Sequence, residues 1–300
     1  MGTPDFAVAS LKALVENGYN VVAVITAPDK PAGRGMQLQE SAVKQYATAH
    51  NLPVLQPEKL KNPDFTTQLK SYNAELQVVV AFRMLPEMVW NMPPMGTLNV
   101  HGSLLPQYRG AAPINWAVIN GDKFTGVTTF LLQHEIDTGN ILLQEKMEIA
   151  EDDTAGTVHD KMMMLGAETL LKTVDALAAQ SITPRPQESF SNEGTLRHAP
   201  KIFTETCKID WNNPVESVYN FIRGLSPYPA AYSELQGKTF KIFKASKEKA
   251  AHEYETGTYH TDGKNYLKFA CIDGFIHILE LQIQGKKRLA IPDFLRGYRF

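Results

Sequence analysis

The sequence predicts an α/β protein, a doubly wound and mostly parallel sheet followed by a smaller all-β domain. Three observations carry this reading. Short apolar, β-rich runs alternate with amphipathic helical patterns through the first 180 residues, as strands joined by crossover helices do. The run Val78-Val79-Val80-Ala81 is apolar without alternation, the mark of a strand buried on both faces. Beyond residue 205 short strands are spaced by turns such as Asp262-Gly263 and Asp273-Gly274, which suits a small β-barrel.

Taken in order, a helix is expected over 6–17, a strand over 21–26, a helix over 41–50, and strands over 76–81, 96–101 and 125–132. The 76–81 strand should be central. Asp153-Thr154 reads as a helix start, and Val158, Met162, Leu165, Leu170, Leu171, Val174 and Leu177 follow at helical spacing over 157–180. The methionines within that helix are expected to be core. From 182 to 204 the chain carries Pro184, Pro186, Ser189, Gly194 and Pro200 with little periodicity, which reads as a linker. The expected domains are therefore 1–181 and 205–300, joined by 182–204. In the second domain a helix over 214–224 precedes strands over 239–245, 257–260, 267–270 and 275–284.

Three hundred residues at 43% hydrophobic content suffice for two cores. No apolar run approaches the roughly 18 to 20 residues of a membrane span, and the N-terminus lacks a signal-peptide pattern. A cytoplasmic protein without a membrane partner is expected. Cys207 and Cys271 lie far apart with no CxxC spacing, so both read as reduced, buried thiols, with no metal site implied. Residues 201–300 hold 15 Lys/Arg against 11 Asp/Glu, and residues 1–200 hold 15 against 21. That positive C-terminal third points weakly toward a polyanion.

The chemistry concentrates in Asn99 to Pro106 and Glu135 to Gly139. Asn99 and His101 are two apart in a strand, so both side chains face one side. The chain then breaks into a loop with Pro106 and Gly110, and loops at strand ends are where α/β proteins hold their sites. Asp137, in a turn after the 125–132 strand, can orient His101 and stabilise its charged form. Together they form an amide, base and carboxylate set at one site.

The chain resembles the folate-dependent formyltransferases, and within them the methionyl-tRNA formyltransferase family, over essentially its whole length. The segments that carry the likeness are Gly2 to Ala7, Pro28 to Gly35, Asn99 to Gly110 with Ala111-Ala112-Pro113, Asp137-Thr138-Gly139, Lys208 to Trp211, Gly224 to Ala230 and Gly285 to Arg288. The resemblance implies a Rossmann-like catalytic domain and a C-terminal domain like an oligonucleotide-binding (OB) β-barrel. It implies transfer of a formyl group from 10-formyltetrahydrofolate to the α-amine of methionine on initiator tRNA, with Asn99, His101 and Asp137 as the catalytic set. It places folate against Ser103, Leu104, Leu105 and Pro106, and tRNA against Arg34, Lys286, Lys287 and Arg288. The expected assembly is a monomer.

A sugar-nucleotide N-formyltransferase shares the folate site and the Asn, His, Asp set, and differs in the acceptor. A non-catalytic tRNA- or folate-binding protein is the reading from another class. Against the family pattern, the first strand of the sheet, an apolar segment leading into the Gly2-Thr3-Pro4 turn, is absent. The expectation is a translation start placed too late, at an internal Met1. Genomic sequence upstream should then encode, in frame, a short Val/Ile-rich strand, and a stop codon immediately before Met1 would contradict this.

Overall fold

The computed structural model describes residues 1–32, 37–190 and 195–299. The chain divides into two compact units. Unit 1 holds residues 1–109, 126–147 and 159–197, and unit 2 holds 110–125, 148–158 and 198–300.

Unit 1 begins with α1 (Asp5–Glu16), which turns Phe6, Ala7 and Ser10 inward. Strand β1 (Val24–Ile25) follows and, after α2 (Ala42–Ala49), pairs in parallel with β2 (Val54–Leu55). The α2 start is fixed by Ser41, whose hydroxyl accepts from Lys44 N at 3.1 Å, satisfying one of the free N–H groups of the first turn. Helix α3 (Pro63–Ser71) leads to β3 (Gln77–Val79), and β4 (Thr97–His101) lies parallel to it. Strand β5 (Phe124–Leu131) runs antiparallel to β4, opposing Phe130 to Asn99 and Thr128 to His101. Strand β6 (Ile141–Glu148) completes this four-stranded sheet.

The long helix α4 (Ala155–Ala178) starts where Asp153-Thr154 predicts. Thr154 Oγ1 accepts from Thr157 N at 3.2 Å, the N-cap geometry. Gly166 of this helix sits over Val100, Phe6 and Val127, so the helix lies close on the sheet and covers the strand that carries Asn99 and His101. Met162 is buried as expected, whereas Met164 is exposed.

Strands β1 and β3 belong to separate hydrogen-bonded sheets. Met1 and Gly2 bridge them: Gly2 N donates to Ile25 O at 3.0 Å, Val80 N donates to Met1 O at 2.9 Å, and the Met1 amine donates to Val78 O at 2.6 Å. A cavity of about 560 Å³ continues between residues 20–25 and 74–80.

In unit 2, helix α5 (Val215–Leu225) packs with a curled antiparallel sheet of β7 (Ala231–Leu235), β8 (Lys238–Lys249), β9 (Tyr259–Thr261), β10 (Leu267–Cys271), β11 (Gly274–Ile283) and β12 (Leu289–Ala290). Helix α6 (Ile291–Gly297) closes one side. The ring of Trp211 stacks on Phe269, which stacks on Phe240, giving this half-barrel an aromatic centre. Strands 231–235 and 289–290 and the last helix are additional to those read from sequence. Cys207 and Cys271 are free, buried thiols, and burial pushes Cys271 up to about 12.

Burial pushes the Met1 amine from 8.0 down to about 5. Between those values the unfolded chain holds a proton that the folded chain does not, so stability should rise from pH 5 to 8 and level off above. Urea unfolding at pH 5.5 and 7.5 checks this. Acetylation of the Met1 amine should remove the rise, and an unaltered pH dependence after acetylation would contradict the assignment.

Candidate active site

Asn99 and His101 project from the C-terminal end of β4 on one face, as their spacing requires. The Asn99 amide is partly exposed and makes no side-chain hydrogen bond among the described residues. It is therefore available to donate. His101 is buried, with its ring edge-to-face on Phe130.

The His101 ring sits between two acceptors. Nε2 lies 3.0 Å from the Tyr108 carbonyl oxygen, and Nδ1 lies 3.9 Å from Asp137 Oδ2. A carbonyl only accepts, so Nε2 carries a hydrogen and Nδ1 is the lone-pair nitrogen of the neutral ring. Asp137 thus faces the ring at ion-pair rather than hydrogen-bond distance. Sequence reasoning gives the task of orienting the ring to Asp137. In the structure the ring's hydrogen bond goes to the Tyr108 carbonyl, with the Asp137 carboxylate on the other side at 3.9 Å.

Both acceptor-bearing residues have left-handed backbone, Tyr108 at φ 60° and Asp137 at φ 55°. For non-glycine residues such conformations cost roughly 1 to 3 kcal/mol and persist only where their surroundings hold them. Around Tyr108 the holding contacts are explicit. Tyr108 N donates to Arg197 O at 2.7 Å, Arg197 Nη1 donates to Tyr108 Oη at 3.0 Å, and Ser103 Oγ donates to Gln107 O at 2.7 Å. Around Asp137, Gln187 Nε2 donates to Asp137 O at 2.7 Å and to Gly139 O at 2.9 Å. Within the 182–204 stretch read as linker, residues 185–187 and 197 therefore bond to unit 1: Arg185 and Ile141 exchange backbone bonds of 2.8 and 2.9 Å.

The loop 103–106 is pinned by Thr128, opposite His101 on β5. Thr128 Oγ1 donates to Ser103 O at 2.6 Å and accepts from Leu105 N at 3.0 Å, and Gln144 Nε2 donates to Leu105 O at 2.7 Å. Ser103, Leu105 and Pro106 are buried, with Leu105 packed against Phe130 and Ile141, while Leu104 keeps partial exposure. Beside the next strand's end, Arg83 donates to Glu58 O at 2.8 Å, and Met84 and Met88 are exposed on an open groove.

Of the cationic residues, Arg34 lies outside the described residues. Lys286 and Lys287 are exposed in the turn between β11 and β12. Arg288 is committed: Nε and Nη2 reach the two oxygens of Glu280 at 2.5 and 2.6 Å, and its guanidinium lies 4.2 Å from the centre of the Phe243 ring. Among the described residues no group of three or more His, Cys, Asp or Glu is arranged to hold a metal ion, and no helix is long and apolar enough to cross a membrane.

The formyl transferase family profile matches residues 1–174, and the profile of its C-terminal domain matches 201–299. A methionyl-tRNA formyltransferase of Bacteroides thetaiotaomicron is 60% identical over 100% of this chain and 94% of its own length, and one from Parabacteroides distasonis is 59% identical at the same coverage. This chain belongs to the methionyl-tRNA formyltransferase family.

Two solved structures share the fold of this family member at low identity. WlaRD, a sugar 3N-formyl transferase crystallised with dTDP and 5-N-formyl-THF, aligns with TM-score 0.67 and 21% identity over 95% of this chain and 97% of its own. HypX from Aquifex aeolicus, in complex with tetrahydrofolic acid, aligns with TM-score 0.59 and 20% identity over 83% of this chain and 44% of its own.

Within this formyltransferase chain, Tyr108, Arg109 and Gln187 are the site neighbours that sequence reasoning misses. Tyr108 acts through a backbone carbonyl, which has no residue signature, and Gln187 lies in a Pro-rich stretch without periodicity. The Asp137 turn also depends on Gly139, where a Cβ would fall 1.7 Å from Leu131 O and 2.9 Å from Phe130 Cδ2. Gly139→Ala should push the turn off β5 and misplace the Asp137 carboxylate. A displacement of that kind costs on the order of 10²-fold in turnover, measurable under single-turnover conditions with saturating substrates. Turnover within about twofold of the parent, on the same scale, would show that the turn need not hold this position.

Proposed function

We propose that the chain transfers the formyl group of 10-formyltetrahydrofolate to the α-amine of methionine esterified to initiator tRNA, giving formyl-Met-tRNA for translation initiation. The supporting observation is the His101 ring held between the Tyr108 carbonyl and the Asp137 carboxylate, two residues from a donating Asn99 amide on the same strand face.

The amine nitrogen attacks the formyl carbon and the carbonyl oxygen becomes an oxyanion, which the Asn99 side-chain N–H is placed to receive. The attacking nitrogen must shed a proton. His101 Nδ1 is the ring atom with a lone pair to take it, since Nε2 is bound to Tyr108 O, and the resulting imidazolium is stabilised by Asp137 at 3.9 Å. Collapse of the intermediate breaks the bond from the formyl carbon to N10 of the folate, and the leaving N10 takes up the proton that His101 removed from the amine, returning the ring to its neutral form. Leu104, partly exposed, offers an apolar face to the pterin, while Ser103, Leu105 and Pro106 shape the loop beneath it.

On the tRNA side, Lys286 and Lys287 are exposed to pair with phosphates, and Arg34 is assigned to the acceptor end. Arg288, already bound to Glu280 and Phe243, fits better as a support of that turn than as a mobile phosphate ligand. The catalytic and tRNA-binding domains correspond to 1–181 and 205–300. The protein acts as a monomer in the cytoplasm.

The test is formyl transfer by the purified chain from 10-formyltetrahydrofolate to charged initiator Met-tRNA, with a dTDP-linked amino sugar as alternative acceptor. Transfer to Met-tRNA alone is expected, and transfer to the sugar alone would contradict the reading. Asn99→Ala should lower turnover by roughly 10² to 10³, and an unchanged rate would remove the oxyanion role.

A further inference from the structure

We infer that Gln187 is a positioning residue for His101, acting with Arg109 to tie the two acceptors of the imidazole into one closed ring of contacts. The inference rests on His101 being the proton-accepting group of the proposed transfer.

The ring can be followed atom by atom. His101 Nε2 donates to the carbonyl of Tyr108 at 3.0 Å. The next residue, Arg109, sends Nε and Nη2 to a single acceptor, Gln187 Oε1, at 3.0 and 2.6 Å. The other end of the same amide donates to the carbonyls of Asp137 and Gly139 at 2.7 and 2.9 Å. Asp137 then faces His101 Nδ1 at 3.9 Å. One side chain therefore connects both flanks of the imidazole, and the ring closes through residues drawn from three stretches of chain.

Three features set this apart from an ordinary buried hydrogen bond. Gln187 is 1% exposed and uses both ends of its amide, so its orientation is fixed by an acceptor that must meet a cation and a donor that must meet two carbonyls. It holds Asp137 directly and Arg109, the residue after Tyr108, and Tyr108 and Asp137 are the two left-handed residues beside His101, where a backbone without external support would relax. Its own position is set by the Arg185 to Ile141 backbone pair two residues earlier, which registers it against β6. A near-isosteric side chain without the amide keeps the volume and removes the tie.

The expected consequence is a loss in kcat with little change in KM. If Gln187 places the proton acceptor and touches neither substrate, Gln187→Met should lower kcat by roughly 10- to 100-fold, the range for a displaced acid-base group. The KM values for Met-tRNA and the formyl donor should stay within about threefold, since ground-state binding is untouched. Arg109→Lys, which keeps one donor for Gln187 Oε1, should fall between Gln187→Met and the parent.

The test combines these kinetics with the ¹⁵N spectrum of His101, assigned with a His101→Gln control. The spectrum does not depend on activity, so it judges the positioning even if the parent chain fails to formylate Met-tRNA, a failure that would instead count against the proposed function. In Gln187→Met the proton of the neutral ring should redistribute between Nε2 and Nδ1. A folded Gln187→Met chain with parental kcat and an unaltered His101 spectrum would overturn the inference, as would a loss confined to KM. Should Gln187→Met fail to fold, Arg109→Lys carries the same readouts, and a parental spectrum and kcat there would overturn it as well.

Discussion

The site is organised by one hydrogen bond, from His101 Nε2 to the carbonyl of Tyr108. A neutral imidazole has one donor and one acceptor nitrogen, so fixing the donor decides which atom can receive a proton. The carbonyl that does this belongs to a loop leaving the same strand, and the chain must curl back within seven residues to present it. That return explains why Thr128, Ser103 and Gln144 spend their polar groups on loop backbone, and why Tyr108 adopts a left-handed backbone. Polar side chains this close to a reaction centre serve here as scaffolding, which leaves Asn99 as the uncommitted donor.

The supports come from elements far apart in sequence but close around β4. Strand β5 supplies Thr128 and Phe130 opposite His101 and Asn99, the turn after it supplies Asp137, and the 185–187 stretch returns to fix that turn. Helix α4 crosses at Gly166 against Val100, so β4 is packed on that side and its neighbouring residues present the chemistry on the other. Beside β3, Met1 and Gly2 bridge to β1, with a cavity continuing from them. The site strand β4 is paired on both sides, by β3 and β5, while Met1 and Gly2 meet the sheet beside β3.

Much of this was legible in the sequence, for identifiable reasons. Period-two spacing put Asn99 and His101 on one face, and a turn signature put Asp137 after the next strand. The apolar run at 78–81 read as a central strand, and the structure places a strand at Gln77–Val79, at the end of its hydrogen-bonded sheet, while the Thr154 start and helical spacing marked α4. The rest depends on backbone atoms and on partners distant in sequence. The Tyr108 carbonyl cannot be read from a residue type. Gln187 sits in a stretch whose prolines read as a linker, because proline reports the lack of regular structure and says nothing of which side chain is buried. Arg288 read as a phosphate contact by its charge, whereas Glu280, brought opposite by the β11 to β12 turn, already holds it bidentately. In the half-barrel, the Asp262-Gly263 and Asp273-Gly274 turns framed three of the four strands read from sequence, while the short 231–235 and 289–290 strands lacked a turn of that kind to frame them.

The most direct test of the account is a crystal structure of the chain with 5-formyltetrahydrofolate, a stable relative of the formyl donor. The account predicts the folate in the opening bounded by Leu104, with its formyl group beside β4. The formyl oxygen should lie within about 3.2 Å of the Asn99 amide nitrogen, with His101 Nδ1 facing the open side from which an amine would approach. A folate bound elsewhere, or a formyl group beyond reach of Asn99 with the His101 ring turned away from Tyr108 O, would contradict it.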